Sequence, residues 1–328
     1  MFISYFYKES DGVGSLRSRA LYELLEDRNN ELILVSRDSI KSKNMLIWLF
    51  FLSFKMLFSS YDKVYVTCGP FIQLPVVNLI TLLKRKKFIV DFRDPWSLNI
   101  KTNYGKGVEE NSSLKLYISK KIEKWTYKSC ERFWVCTPGM YKEFSKLFND
   151  DSKIDLVYNG HTINDSISKN KNEKKQFVCI GKFAEYDYQK ANLCLEKIKN
   201  IGLEKVELYL IGSEININKK IIQENQMVEN TYLMKRMLYK DAIKLASTCD
   251  IGICIIRNED FDFGTKVFDY IGLGLPIFDC FDHSASFYNF FKEYITDGEE
   301  GNLILNDNQR MRFYRKNIFL EHIEKIEK

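Results

Sequence analysis

The residues best suited to chemistry fall in a few short segments where glycine, lysine and a carboxylate come together. The richest is Gly264-Thr265-Lys266-Val267-Phe268-Asp269-Tyr270-Ile271-Gly272-Leu273-Gly274-Leu275-Pro276-Ile277. Its Gly-Thr turn opens a short helix, with Lys266 in the first turn and Asp269 three residues on, along the same face. Helix-start N–H groups and a lysine suit phosphate oxygens, and a carboxylate one turn later can accept both hydroxyls of a ribose. Gly181-Lys182 ends a strand-like run, and Lys190 follows near a helix start. These two cations read either as the neutralising partners of a diphosphate or as ordinary surface lysines. Asp11-Gly12-Val13-Gly14-Ser15-Leu16-Arg17 follows the first strand and opens the first helix. Its glycines let backbone approach a ligand, although a plain strand-to-helix turn would use them equally well. Asp91-Phe92-Arg93-Asp94-Pro95-Trp96 sets three charges and a tryptophan at a strand end. Substrate contact and a buried Arg–Asp pair that pins the loop are the competing readings.

The elements that must hold these segments alternate almost throughout. Strand-like runs at 1–7, 31–36, 63–68, 87–92, 132–137 and 153–158 are separated by helical patterns at 15–27, 42–58, 72–83, 113–129 and 138–148. After the polar stretch 166–175, strands are expected at 176–181, 205–212, 230–234, 250–256 and 275–280. Helices are expected at 188–200, 215–226, 239–247, 264–272 and 309–328. Such alternation specifies parallel sheets covered by helices, and ligands of open parallel sheets bind beyond the carboxyl ends of the strands.

With 328 residues, the chain exceeds the usual size of a single core. Its 45% hydrophobic and 28% charged content is ordinary globular material, and a net charge of +5 is far from a nucleic-acid-binding composition. The eight cysteines form no CxxC pair and the three histidines are far apart, so neither a zinc knuckle nor a metal cluster is indicated. The start lacks the basic region and cleavage site of a signal peptide. MLIWLFFLSF at 45–54 is too short to span a bilayer, which takes about 20 residues. With Lys41, Lys43 and Lys55 around it and Lys84-Arg85-Lys86-Lys87 further on, it reads either as a core helix or as a surface resting on an anionic membrane through Trp48 and Phe51.

Taken in order, these segments resemble the retaining glycosyltransferases of family 4, which have the GT-B fold. The resemblance runs through nearly the whole chain. ISYFYKESDGVGSLRSRALYELL is similar to the family's first strand, glycine loop and helix, and VDFRDPW resembles the DxRDPW signature of a branch active in surface polysaccharide synthesis. VCTPGMYKEF resembles the strand-turn-helix late in the first domain, and Asn159-Gly160 the NG of the interdomain crossing. CIGKF with Lys190 resembles the donor-diphosphate site, and FGTKVFDYIGLGLPI the donor-ribose motif.

The resemblance implies an α/β chain with two facing Rossmann-like domains and a cleft between them. Residues 1–165 would form the acceptor-side domain, 166–175 a linker, 176–310 the nucleotide-sugar donor domain, and 311–328 a C-terminal helix packing back on the first domain. Lys182 and Lys190 would hold the donor diphosphate and Asp269 the ribose. Gly264, Thr265 and Lys266 would line the phosphate side, with Gly12 and Gly14 approaching from the first domain. Arg93 and Asp94 would face the transferred sugar or the acceptor, and Ser15, Arg17, Trp48 and Phe51 the acceptor or the membrane.

Two departures shift these roles. Many relatives have two glutamates with seven residues between them; here the second place is Asp269 and the first falls on Phe261. Glu259, Asp260 and Asp262 are the substitutes, and Asp262 is the expected catalytic one. None of His161, His283 and His322 lies where relatives carry a cleft histidine. Asp260-Phe261-Asp262 is formally the DxD metal motif of the other main transferase fold, but it precedes the ribose helix, where the resemblance implies lysines and helix ends in place of a metal.

The expected activity is retaining transfer of a hexose or modified hexose from a nucleotide diphosphate sugar to a hydroxyl of a polyprenyl-diphosphate-linked glycan, in capsule, O-antigen or exopolysaccharide synthesis. It would need no cofactor, metal or nucleic acid, and would act in the cytoplasm, peripherally on the anionic inner face of the membrane. The alternatives are a nucleotide-sugar epimerase of the same fold and a non-catalytic nucleotide-sugar-binding subunit.

Overall fold

The computed structural model describes residues 1–8, 11, 13–28, 30–40, 42, 44–102, 113–163, 173–298 and 303–327. Gly12, Lys41, Lys43 and most of the expected linker lie outside the described residues. The chain divides into two compact units, Met1–Tyr158 with Phe319–Lys328, and Asn159–Ile318.

Unit 1 alternates β1 (Phe2–Ser4), α1 (Val13–Asp27), β2 (Leu34–Ser36), α2 (Met45–Phe58), β3 (Lys63–Thr67), α3 (Leu74–Leu83), β4 (Lys87–Phe92), α4 (Trp96–Thr102), α5 (Ser113–Ser129), β5 (Arg132–Val135), α6 (Pro138–Phe148) and β6 (Ile154–Leu156). Its sheet is parallel, in the order β2-β1-β3-β4-β5-β6. Thr137 caps α6 by accepting the Met140 N–H, with Pro138 as the first helical residue.

Unit 2 follows with β7 (Lys175–Ile180), α7 (Tyr188–Ile201), β8 (Val206–Ile211), α8 (Ile215–Glu224), β9 (Thr231–Met234), α9 (Tyr239–Ala246), β10 (Ile251–Gly252), α10 (Lys266–Gly272), β11 (Ile277–Phe278), α11 (Ser286–Phe291), β12 (Ile295–Thr296) and α12 (Asp307–Met311). Its parallel sheet runs β9-β8-β7-β10-β11-β12, the order of a doubly wound dinucleotide fold, and the chain reverses direction across the sheet between β7 and β10. The last helix, α13 (Arg315–Glu327), begins in unit 2 and ends in unit 1, where Phe319 stacks against Trp134 of β5.

The expected alternation appears in both units, with differences at element ends. The apolar run 250–256 keeps ladder pairing only at Ile251–Gly252, with Ile253 still donating to the Val178 carbonyl of β7 at 2.8 Å. α10 begins at Lys266 because Gly264 has φ +64°, outside the helical region. α4, α11 and α12 are too short to announce themselves by periodicity. All eight cysteines are buried.

One buried carboxyl in unit 1 makes stability depend on pH. Glu123 of α5 accepts the Ser97 N–H at the start of α4 through Oε1, at 2.9 Å, while Oε2 has no partner among the described residues. Burial pushes its pKa from 4.5 up to about 7. Folding therefore binds a proton between these values, and stability falls as pH rises through that window. We expect Glu123→Gln to stabilise the protein at pH 8 by about 3 kcal/mol and to change little below pH 4.5. Urea denaturation at both pH values measures this.

Candidate functional site

In unit 2, the reversal between β7 and β10 opens a cavity of about 240 Å³ beyond the carboxyl ends of those strands. Gly181 and Lys182, the Ile253–Ile256 segment after β10, and Asp262, Gly264, Thr265 and Lys266 all line it. Gly181 (φ +103°) and Gly264 (φ +64°) adopt backbone conformations that only glycine holds without strain. Asp262 accepts the Gly264 N–H through Oδ1 at 2.9 Å, which ties the loop ahead of α10.

Lys266 and Asp269 form a fixed pair. Lys266 Nζ lies 3.0 Å from Asp269 Oδ2, and the Tyr239 hydroxyl donates to Asp269 Oδ1 at 2.7 Å. Lys266 also rests over the Tyr239 ring, 4.9 Å from its centroid. Burial first, and then the Asp269 carboxylate, raise the Tyr239 pKa well above its ordinary value, so Tyr239 stays a donor. Asp269 is 4% exposed, with both oxygens already engaged by protein groups. Tyr239, at the start of α9, carries no mark in sequence, because the fold and not the spacing brings it to Asp269.

Lys182 and Arg257 both lie over the Tyr186 ring, at 5.1 and 4.6 Å, which places an aromatic surface between two cations at the cavity. Tyr186 likewise escaped the sequence reading. Lys190 sits in the first turn of α7, whose cap is Asp187. Its Nζ donates to the Ile256 carbonyl and to Glu259 Oε1, both at 2.7 Å. Glu259 is 6% exposed, and its Oε2 accepts the Asp282 N–H at 2.8 Å. Lys190 is thus occupied behind Ile256 and does not line the cavity wall. Asp260 Oδ1 accepts the Ser286 N–H at 2.9 Å, whereas Asp262 holds the Gly264 N–H. Among the described residues no group of three or more His, Cys, Asp or Glu is placed to hold a metal ion. His161 is buried; its Nε2 bonds the Arg310 carbonyl and its Nδ1 accepts the Ile163 N–H, so the ring is neutral and desolvation lowers its pKa.

In unit 1, the VDFRDPW residues join a buried network. Arg17 and Asp91, each 3% exposed, form a two-pronged pair at 2.9 Å, and Arg17 also donates to the Tyr158 carbonyl. Burial alone would raise the Asp91 pKa; the Arg17 and Arg93 guanidiniums outweigh it and lower it. Arg93 approaches Asp91 at 3.4 Å, donates to Ser18 Oγ at 2.5 Å and to the Gly14 carbonyl, and so ties the loop to the first turn of α1. Asp94 is exposed. Ser15 and Arg17, expected to meet an acceptor or a membrane, are buried. Trp48 is wholly buried as well, edge-on to Tyr5 with its indole N–H on Gln73, while Phe51 is half-buried. Trp48 lies with Leu52 and Met56 on the buried side of α2, and Phe51 borders that side.

Solved structures of similar shape cover almost the whole chain. Anabaena Alr3699/HepE in complex with UDP and glucose has a TM-score of 0.64 at 11% identity, over 99% of this chain and 98% of that one. The lipopolysaccharide outer core galactosyltransferase WaaB in its apo form scores 0.59 at 12% identity, over 99% and 98%. A putative UDP-N-acetylglucosamine 2-epimerase from Listeria monocytogenes scores 0.61 at 10% identity, over 99% and 95%. The chain has a two-domain, Rossmann-like α/β fold. No family model and no curated protein matches the sequence.

The cavity wall depends on how α10 is seated. Tyr270 is fully buried, and its hydroxyl accepts the Ile180 N–H at 2.8 Å. Its ring fills the space above Gly252, where a Cβ would come within 2.4 Å of ring carbons. Tyr270→Phe leaves the Ile180 N–H unpaired and is expected to cost about 1–3 kcal/mol in urea denaturation. Gly252→Ala forces the ring to move and should cost at least as much.

Proposed function

We propose that the protein binds a nucleotide diphosphate sugar in the unit 2 cavity and transfers the sugar to an acceptor hydroxyl. The observation that carries this reading is the convergence of Gly181, Lys182, Gly264, Thr265 and Lys266 on one cavity at the sheet's reversal point. Two lysines and glycine backbone suit a diphosphate, and the carboxylate of Asp269 beside Lys266 suits ribose hydroxyls. The cavity is smaller than the 300–1,000 Å³, roughly, that buries a drug-sized ligand, so it would house the diphosphate end and leave the sugar outside.

In the reaction the bond between the anomeric carbon and the diphosphate oxygen breaks. Lys182 and Lys266 stabilise the departing diphosphate, which takes the acceptor proton as the new glycosidic bond forms on the same face. No enzyme nucleophile and no metal enters this scheme. Asp262, at the cavity wall, orients the Gly264 turn, and Lys190, neutralised by Glu259, holds the Ile256 carbonyl in place. Arg93 acts through the α1 turn that it holds, and the exposed Asp94 beside it faces the acceptor. The acceptor is a lipid-linked glycan of surface polysaccharide synthesis, met at an anionic membrane. The UDP and glucose bound by HepE support the donor class.

The 2-epimerase reading rests on the Listeria neighbour, and the unit 1 network does not count against it, since Asp91 and Arg93 brace structure in either case. Product analysis separates the two: transfer releases nucleoside diphosphate, whereas epimerisation returns an intact nucleotide sugar of altered configuration.

A thermal-shift panel of nucleotide sugars should reveal a donor, since a ligand at 100 times its Kd adds about 2.7 kcal/mol. Lys266→Met should lower kcat/KM for that donor by about 10²-fold, the scale for losing one group that stabilises developing charge. Undiminished turnover in Lys266→Met and Asp269→Asn would defeat the site assignment.

A further inference from the structure

Unit 1 carries a broad apolar surface that its own fold leaves uncovered. α3 packs against both α2 and α5. Leu46, Phe50 and Phe58 of α2 are largely exposed, as are Leu82 and Leu83 of α3 and Leu114 of α5. Soluble monomers seldom leave so much contiguous apolar surface in water.

The charge around this surface is not where the sequence put it. Lys84 Nζ donates to the carbonyls of Met56, Leu57 and Ser59 at 3.0, 3.1 and 2.7 Å, closing the end of α2. Lys86 pairs with Asp62 at 3.3 Å and Lys87 with Glu131 at 2.9 Å. Three of the four cations are thus engaged within unit 1, and Arg85 is exposed. α5 adds further cations: Lys121, Lys124 and Lys128 are exposed beside Ile118 and Trp125, which recur with Leu114 at helical spacing. The three helices contain one acidic residue, Glu123, and it is buried. Among the described residues these three helices expose apolar and cationic side chains and no carboxylate, and the exposed Asp62 carboxylate beyond α2 is paired with Lys86.

We propose that the α2–α3–α5 face docks on an anionic lipid bilayer. Leucine and phenylalanine side chains enter the headgroup boundary, and the α5 ammonium groups meet lipid phosphates. Pairing with a second copy would set like charges against each other. No described helix is long and apolar enough to cross a membrane, so the contact lies in the interface plane. This deepens the proposed function by naming the surface at which the lipid-linked acceptor is met.

Co-sedimentation with phosphatidylcholine vesicles, with and without an equal share of phosphatidylglycerol, tests it. The protein should bind the anionic vesicles, ignore the neutral ones and dissociate at high salt. Combined Lys121→Glu, Lys124→Glu and Lys128→Glu should weaken binding by about 100-fold or more, from roughly fivefold per lysine. Leu82→Ser with Leu83→Ser should also abolish it, and Lys86→Ala with Lys87→Ala should do far less. Failure of the unaltered protein to bind anionic vesicles, or unchanged binding by the α5 triple variant, overturns the proposal. So does a dimer in ultracentrifugation that the Leu82/Leu83 variant dissolves without any lipid binding. The nucleotide-sugar thermal shift of the same variants should be unchanged, which shows them folded. Vesicle binding with no nucleotide-sugar shift in the unaltered protein would leave this surface standing and remove the donor reading alone.

Discussion

The unit 2 cavity depends on how one tyrosine is seated. Tyr270 projects from α10 into the sheet, and its ring takes the space that Gly252 leaves open. Its hydroxyl accepts the N–H of Ile180, the last residue of β7. One side chain therefore ties α10 to β7 and β10, the two strands that flank the reversal. Lys266 lies one turn before Tyr270, and Asp269 immediately before it, so the seat of Tyr270 sets where both are presented. A larger residue at Gly252 or a lost hydroxyl would displace the cation and the carboxylate together. Burial of the ring and satisfaction of an otherwise orphaned N–H act in the same direction.

Unit 1 uses charge for a different purpose. Arg17 and Asp91 are paired inside it, with Arg17 also on the Tyr158 carbonyl. A buried ion pair is weak evidence for stability in itself, but losing one partner strands the other charge. Arg93 extends the pair to Ser18 and the start of α1. Beyond it, Thr67 and Ser4 continue the polar line at 3.1 Å, across the ends of β1 and β3. Most of VDFRDPW is thus bracing, and the competing reading of a pinned loop describes Asp91 and Arg93 well. Glu259 has the same character in unit 2, where it joins Lys190 to the loop that carries Asp282.

Much of this was legible in the sequence. Alternating strand and helix patterns mark both parallel sheets, and glycine–lysine turns at 181–182 and 264–266 mark the cavity because backbone conformation restricts what can stand there. What was hidden needed tertiary contact. Tyr239 and Tyr186 reach the site from elements with no local signature. Trp48 sits in a helix apolar all round, where periodicity cannot say which side faces in. Lys84, Lys86 and Lys87 look like part of a free basic cluster until the end of α2 and two carboxylates take them up, which leaves Arg85 exposed.

The central claim is that the cavity between Gly181 and Lys266 receives a diphosphate. A crystal structure of the protein grown with a saturating nucleoside diphosphate tests it most directly. The diphosphate should lie between the Gly181-Lys182 turn and Thr265-Lys266, with a ribose hydroxyl on Asp269. A well-ordered nucleotide bound elsewhere, with this cavity left to solvent, would contradict the account.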